Sequence, residues 1–344
     1  MKLHLLFFTV LQLYAKNSAN ATVKIPPTLN LQIKDGITHI QTKTSQEPTW
    51  LNPTLQEKLS AYLKRSGSPI AAAALTTVKD GKVIALIQGQ RPTSWKPQSH
   101  TAVYPYFPAA SIFKTITTIA ALELEVRDPF SPVMLRGQCG KVDPRGAWLM
   151  NEPTRYSQYM TLARAYGLSC NNFFAKLALD RLGLGVINRY AKQFLWEKQV
   201  PADFYIPPSP LRSPSIIGSG AHTVGRYAAG FGMVGLSVMH AAWVHLTLAR
   251  KGDPIPLKLF RSSPNHSNQL PRIVTEKTSE KYLKISKSTI TRGTAKSVFY
   301  RWRYRRIRNQ VGGKTGTLHS RHPEGLATWF VGMMPIKKQR ILLI

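Results

Sequence analysis

The sequence predicts a mixed α/β (α+β) fold, with strands towards both ends of one large domain and helices between them. Three observations carry this. Ala71 to Lys79 and Lys82 to Gln88 are apolar runs flanking Asp80-Gly81, a turn pair that favours a tight hairpin. Residues such as Phe113, Ile116, Ala120 and Leu124 recur at a spacing that buries one helix face. Near the end, Gly313 to Thr317, Ala327 to Met333 and Gln339 to Ile344 read as three successive strands.

The remaining elements follow in chain order. Met1-Lys2-Leu3-His4, then Leu5 to Leu13, form a short basic cap on an apolar run, and Ala19-Asn20-Ala21 resembles a cleavage site. Residues 1–21 therefore read as a signal peptide, with an uncleaved anchor as the lesser alternative. Residues 22–65 are polar and carry Pro26, Pro27, Pro48 and Pro53, so an extended lead-in is expected, with one helix over Thr54 to Lys64. Asn171 to Leu182 has a helical period closed by Gly183. A second apolar helix is expected from Ser237 to Arg250, stopped by Gly252 before Pro254 and Pro256. Residues 253–285 are rich in Pro, Ser and Lys and read as a surface loop.

With 43% hydrophobic and 18% charged residues over 344 positions, the chain can bury a full core, which assigns residues 66–344 to one domain. Lys and Arg number 47 against 16 Asp and Glu, a formal charge of +31, so anionic partners are expected. Joined to an export signal, this suits an anionic membrane surface and a carboxylate-bearing wall polymer better than nucleic acid, which is not expected. Arg301, Arg303, Arg305, Arg306 and Arg308 alternate with Trp302 and Tyr304. They read either as an anion-gripping cluster or as a solvated strand face leading to Gly313. Cys139 and Cys170 exclude a disulfide-rich scaffold. Export would permit them to pair, but two small buried thiols is the favoured reading. The histidines His222, His240, His245, His319 and His322 show no metal-ligand spacing, so core or surface roles are expected, and neither metal nor cofactor.

The chemistry is carried by three short strings in order: Ser111-Ile112-Phe113-Lys114, Ser169-Cys170-Asn171 and Lys314-Thr315-Gly316-Thr317. Each alone is weak; together they hold the parts needed to open an amide through a serine ester. Three residues apart, Ser111 and Lys114 share a helix face. Lys114 can take the serine proton only if its ammonium is destabilised, by burial and by Lys314 as a second cation. Ser169 offers a relay hydroxyl between the lysines, and Asn171 a donor and an acceptor for a substrate amide. Gly316 lets a substrate backbone approach a strand edge.

The three strings match the S-x-x-K, S-D-N and K-T-G set, with Cys170 in place of the middle Asp. The chain resembles the penicillin-binding protein transpeptidase domain from about Ala71 onward. Phe107 to Lys114, Gly167 to Phe174, Gly230 to His240, Gly293-Thr294-Ala295 and Trp329 to Gly332 carry the likeness. The resemblance implies a central, mostly antiparallel sheet flanked by helices, with an all-helical subdomain. It implies peptidoglycan stem peptides as substrates and β-lactams that acylate the same serine. By the same resemblance Thr317 gives its amide to an oxyanion hole, and its hydroxyl, beside Thr315, to the stem-peptide carboxylate. In that family a further helix covers the sheet after the last strand; here it is expected to be missing. Apolar side chains near Trp329 to Met333 and Leu342 to Ile344 are then expected to face water.

A D,D-transpeptidase passes the acyl group to an amine, a D,D-carboxypeptidase or β-lactamase to water, and the strings do not name the acceptor. Glu197 and Glu276 lack the E-x-x-L-N setting of a deacylating glutamate. Asn171 argues against an apolar third residue of the class D type. A non-catalytic relative that binds wall or drug without turnover is the remaining alternative.

Overall fold

A computed structural model describes residues 30–42, 45–90, 101–105, 107–214, 220–263, 270–321, 324–336 and 339–344. The expected signal peptide over residues 1–21, and His322, lie outside these residues. The chain opens with three antiparallel strands, β1 (Leu31–Lys34), β2 (Ile37–Gln41) and β3 (Gln46–Pro48), where the sequence suggested an extended lead-in. Helix α1 (Pro53–Arg65) follows, with Asn52 accepting from Leu55 N at 3.0 Å and proline in its first turn. The expected hairpin is β4 (Ile70–Thr77) with β5 (Val83–Gln90), and Gly81 takes its turn at φ +70°.

A long, mainly helical stretch comes next. It contains β6 (Phe107–Pro108), α2 (Lys114–Glu123), the hairpin β7 (Val133–Arg136) with β8 (Ser157–Met160), α3 (Leu162–Leu168), α4 (Asn171–Leu177) and α5 (Gly183–Gln193). Then come β9 (Leu211–Arg212), α6 (Ala221–Ala228), β10 (Met233–Leu236), α7 (Val238–Ala249), α8 (Glu276–Thr291) and the short α9 (Lys296–Phe299). The last three strands, β11 (Gly312–Arg321), β12 (Glu324–Ile336) and β13 (Gln339–Leu343), form an antiparallel meander. β13 also pairs with β4, so both parts of the chain share one five-stranded sheet of order β11-β12-β13-β4-β5. β11 lies at its edge.

Burial explains the layering. Every residue of α7 is buried; a helix apolar on all sides belongs in the interior, against the sheet. Its two histidines are core groups: His240 lies between Ser209 Oγ (2.7 Å) and Phe194 O (2.8 Å). Burial pushes His240 and His245 each down to about 4, so both are neutral at physiological pH.

The structure departs from several expectations. Residues 276–285 are not loop but the first part of α8, capped by Thr275. Its buried face includes Thr278, Ser279, Ser286 and Thr289, small polar residues that blur the apolar period. The preceding stretch also turns inward, with Leu257, Leu259 and Phe260 buried. The Arg301–Arg308 segment is a single 3-10 turn at Trp302–Tyr304 rather than a strand. Leu124 caps α2 and is 40% exposed, so it does not extend the buried face. Nor are the final strands bare: Trp329, Val331, Leu342 and Ile344 are all buried.

Gly230 marks a close approach that the fold cannot relax. Its φ is +87°, and a Cβ there would meet Ala110 O at 1.9 Å. Gly230→Ala is expected to cost about 2 kcal/mol or more, through backbone strain and a contact with no flexible partner to yield. A urea-unfolding midpoint unchanged from the parent chain would contradict this.

Candidate active site

Ser111 occupies a 3-10 turn, Ala110–Ile112, that runs through Phe113 into α2. Phe113 and Ile112 are buried and anchor the turn from below. Phe113 packs edge-on against Trp196 and Tyr227. Ala110 stands at φ +48°, a conformation a non-glycine residue adopts at a cost. The turn thus presents Ser111, half-buried, at the start of a helix whose dipole favours a developing anion.

Lys114 is fully buried, and its Nζ lies 2.7 Å from each of three oxygens: Ser111 Oγ, Asn171 Oδ1 and Ala229 O. The last two can only accept. A neutral amine has two N–H donors and one lone pair, so it can donate to Asn171 and Ala229 and accept the Ser111 proton. Burial, and then the charge of Lys314, hold the Lys114 pKa well below the usual lysine value. The arrangement therefore suits a general base acting on Ser111.

Lys314 is also fully buried, and burial lowers it to about 7. Its Nζ donates to Ser169 Oγ at 3.0 Å and to Thr315 O at 2.7 Å, and lies 5.4 Å from the centre of the Tyr166 ring. Ser169, at φ 57°, is the left-handed cap that ends α3. It meets Lys314 but, among the described residues, makes no hydrogen bond to Ser111 or Lys114. The relay hydroxyl is thus tied to one lysine, and Asn171 is tied to the other.

Asn171 is clamped by a loop. Three successive carbonyls, of Gln138, Cys139 and Gly140, accept from Asn172 Nδ2, Asn171 N (3.0 Å) and Asn171 Nδ2 (2.6 Å). The loop so caps the first turn of α4, which has no side-chain cap of its own. One amide N–H of Asn171 remains for a substrate. The same two segments are cross-linked covalently, because Cys139 and Cys170 form a disulfide. This corrects the expectation of two separate buried thiols. Cys170 is committed to packing, as expected, and also to a bond that holds the loop against Ser169 and Asn171.

On β11, Thr315, Gly316 and Thr317 lie along the open edge of the sheet. A Cβ on Gly316 would press on Ile112, Trp329 and Ala110, so glycine keeps this strand close to the serine turn. The Thr315 hydroxyl bonds that of Thr294, and Thr317 is exposed. Among the described residues no group of His, Cys, Asp or Glu could hold a metal ion.

The structure thus brings Ser111, Lys114, Ser169, Asn171, Lys314, Thr315, Gly316 and Thr317 to one cleft between the sheet edge and the helical subdomain. The family model of the penicillin-binding protein transpeptidase domain matches residues 71–344. The chain belongs to this family. Solved structures similar to it include the D,D-transpeptidase domain of a peptidoglycan glycosyltransferase from Eggerthella lenta, at TM-score 0.69 and 19% identity over 93% of this chain and 85% of that one. Penicillin-binding protein A from M. tuberculosis, as an imipenem acyl-enzyme complex, matches at TM-score 0.66 and 19% identity, over 86% and 73% of the two chains. Penicillin-binding protein 3 from the same organism, complexed with ampicillin, matches at 0.65 and 15%, over 88% and 73%. At these identities the likenesses show the fold: a central antiparallel sheet flanked by helices. No curated protein matches the chain.

Several residues at this transpeptidase-domain cleft escaped the sequence reading. Ala229 and Gly140 contribute backbone carbonyls, which no side-chain motif announces. Thr294 was read as part of the Gly293-Thr294-Ala295 likeness but without its contact to Thr315; the string's signal is steric, since a Cβ on Gly293 would meet Gly167 O at 2.1 Å.

The disulfide gives a direct test. It closes a loop of sequence separation 31, worth about 3–4 kcal/mol in the chain-entropy account. The Cys139→Ser/Cys170→Ser chain is expected to unfold at lower urea and to be insensitive to reductant, while the parent chain moves to the same midpoint when reduced. A parent midpoint indifferent to reductant speaks against the bond.

Proposed function

We propose that this chain is a peptidoglycan D,D-transpeptidase that cross-links stem peptides through an acyl-enzyme on Ser111, and that β-lactams acylate the same serine. The single observation that carries this is the 2.7 Å contact of the buried Lys114 Nζ with Ser111 Oγ, its remaining hydrogen-bond partners acceptors only.

In this reading Lys114 takes the Ser111 proton as Oγ attacks the carbonyl carbon of the penultimate D-alanine. The backbone amides of Ser111 and Thr317 stabilise the oxyanion. As the tetrahedral intermediate collapses, the C–N bond breaks and the Ser169–Lys314 pair delivers a proton to the leaving D-alanine amine. An amine of a second stem peptide then attacks the ester carbonyl and gives a proton back to the Ser169–Lys314 pair, and as the ester C–O bond breaks Lys114 returns its proton to Ser111 Oγ. Asn171 holds the donor amide, and Thr315 and Thr317 hold its carboxylate. Glu197 and Glu276 are engaged with Lys192 and Lys251 in exposed ion pairs, so neither serves as a base for deacylating water.

Ser111→Ala is expected to abolish covalent labelling by a fluorescent penicillin while the chain still unfolds cooperatively; persistent labelling removes the assignment. Lys114→Arg keeps the charge but cannot deprotonate, and is expected to lose about 10²–10⁴-fold in acylation rate. The pH dependence has a definite sign. Because Lys114 must be neutral, acylation rises with pH on the acidic side, through a pKa that lies well below the ordinary lysine value, and falls again as Lys314, lowered to about 7, loses the proton it is to deliver. A rate that falls across that acidic limb identifies another base.

The substrate also places the protein outside the cytoplasm, and a disulfide is in keeping with an oxidising compartment. Among the described residues no helix is long and apolar enough to cross a membrane. Cleavage after Ala21 is expected to leave a chain beginning at Thr22, associated with the envelope. N-terminal sequencing of envelope protein checks this, and recovery of an intact Met1 from the cytosol contradicts it.

A further inference from the structure

The segment from Arg301 to Arg308, which the transpeptidase reading does not use, is built as an outward-facing tip. Its inner residues are anchored. Tyr304 packs on the buried Phe299, whose ring centre lies 6.0 Å from that of Phe330 on β12, and Ile307 joins the same small core with Ile290 and Val311. Tyr304 N donates to Arg301 O, and Arg308 N to Tyr304 O, each at 2.9 Å, so the turn is closed by its own backbone. The outer residues meet water. Trp302 is 87% exposed, and Arg301, Arg303, Arg305, Arg306 and Arg308 all face solvent. Val298 and Tyr300, just before the turn, are exposed as well.

Charge and exposure select the partner. Between Glu280 and Glu324 the chain contains no Asp or Glu. Among the described residues none of these five arginines forms an ion pair. The Arg308 guanidinium and Lys296 Nζ lie 4.3 and 5.2 Å from the centre of the Tyr300 ring, so cations and aromatic surface are held together. An indole left in water is unfavourable, whereas at the headgroup level of a bilayer its ring meets the acyl boundary and its N–H stays wet. Arginines around it match lipid phosphates. We propose that this tip is a docking surface for the anionic face of a phospholipid membrane, with Trp302 entering the interface and the arginines binding headgroup phosphates.

An aromatic-basic surface also suits single-stranded nucleic acid, but that ligand follows a groove and stacks its bases on successive rings. Here one indole projects from a turn, and the Cys139–Cys170 bond is in keeping with an oxidising compartment, away from the nucleic acid of the cell. A soluble anionic polymer would be held by the charges alone and would give Trp302 no role. The tip leads into β11, which begins at Gly312, so docking here sets the sheet edge at one height above the bilayer. None of this depends on the chemistry assigned to Ser111.

The test uses the full chain and phosphatidylcholine vesicles with or without about one-third phosphatidylglycerol, with binding read by co-sedimentation. The anionic vesicles are expected to bind the chain more tightly, and less so as salt is raised. Arg303→Gln with Arg305→Gln is expected to weaken that binding about tenfold or more, while the urea midpoint and penicillin labelling stay as in the parent. Arg305→Gln alone is expected to weaken it part of the way and serves if the double variant does not fold. Lipids brominated on their acyl chains are expected to quench tryptophan fluorescence of the parent, and Trp302→Ala to remove most of that quenching, because Trp148, Trp196, Trp243 and Trp329 are buried. Vesicle binding that the arginine substitutions leave unchanged places the membrane contact elsewhere, such as the apolar run Leu5 to Leu13, and overturns the tip. Quenching that survives Trp302→Ala overturns the insertion. A single-stranded oligonucleotide or polyglutamate bound more tightly than the vesicles through the same arginines overturns the lipid assignment in favour of that polymer.

Discussion

The Lys114 amine is the group on which the arrangement of the site depends. Placing it fully out of water is unfavourable unless its hydrogen-bonding capacity is met inside the protein. Three separate chain segments meet it, through Ser111, Asn171 and Ala229. Each of those segments is locally constrained. Ala110 holds a left-handed backbone next to Ser111, the 138–140 loop and the disulfide hold Asn171, and Gly230 lets its turn pass against Ala110 O. Burial that leaves the lysine amine uncharged, and so able to take a proton, also forces these segments into register. Chemistry and architecture therefore share one cause.

The sheet supplies the fourth side. Its two halves are far apart in sequence and are joined only where β13 pairs with β4, leaving β11 at the edge. An edge strand normally invites unwanted pairing. Here the exposed edge lies beside the serine turn, with Lys314 pointing under it to Ser169 and Thr315 tied to Thr294. The edge offers its backbone groups to one extended peptide, the mode of binding proposed for the acyl donor.

Much of this was legible in the sequence, and the limits have physical reasons. Spacing alone placed Ser111 and Lys114 on one face, and the Asp80-Gly81 hairpin and the last three strands read correctly because apolar runs were bounded by turn residues. Helix α8 was missed because its buried face is built from Thr and Ser as much as from Ile and Tyr. The Cys139–Cys170 bond was missed because sequence gives no distance between residues 31 apart. Backbone partners such as Ala229 O and Gly140 O were invisible for a more general reason: every residue has a carbonyl, so only the fold selects which one matters.

Against 47 Lys and Arg the chain has only 16 Asp and Glu, and these divide between ion pairs and backbone turns. Asp203, half-buried, accepts from Leu259 N and Phe260 N, and desolvation pushes its pKa up in spite of those bonds. Glu123 accepts from Thr275 at the start of α8, and Asp128 from Phe130 N and Ser131 N. These three carboxylates serve backbone donors and short turns, while others, such as Asp80, Asp180, Glu125 and Glu276, pair with lysines. Beside the cleft Lys141 and Arg226 face solvent, a positive surface of the kind that would favour the anionic substrate proposed above. Inside the cleft the same scarcity of acid leaves Lys114 and Lys314 with no carboxylate partner among the described residues. A carboxylate there would raise the Lys114 pKa and keep the amine charged, so the absence of acid beside it is what the base role proposed for Lys114 requires.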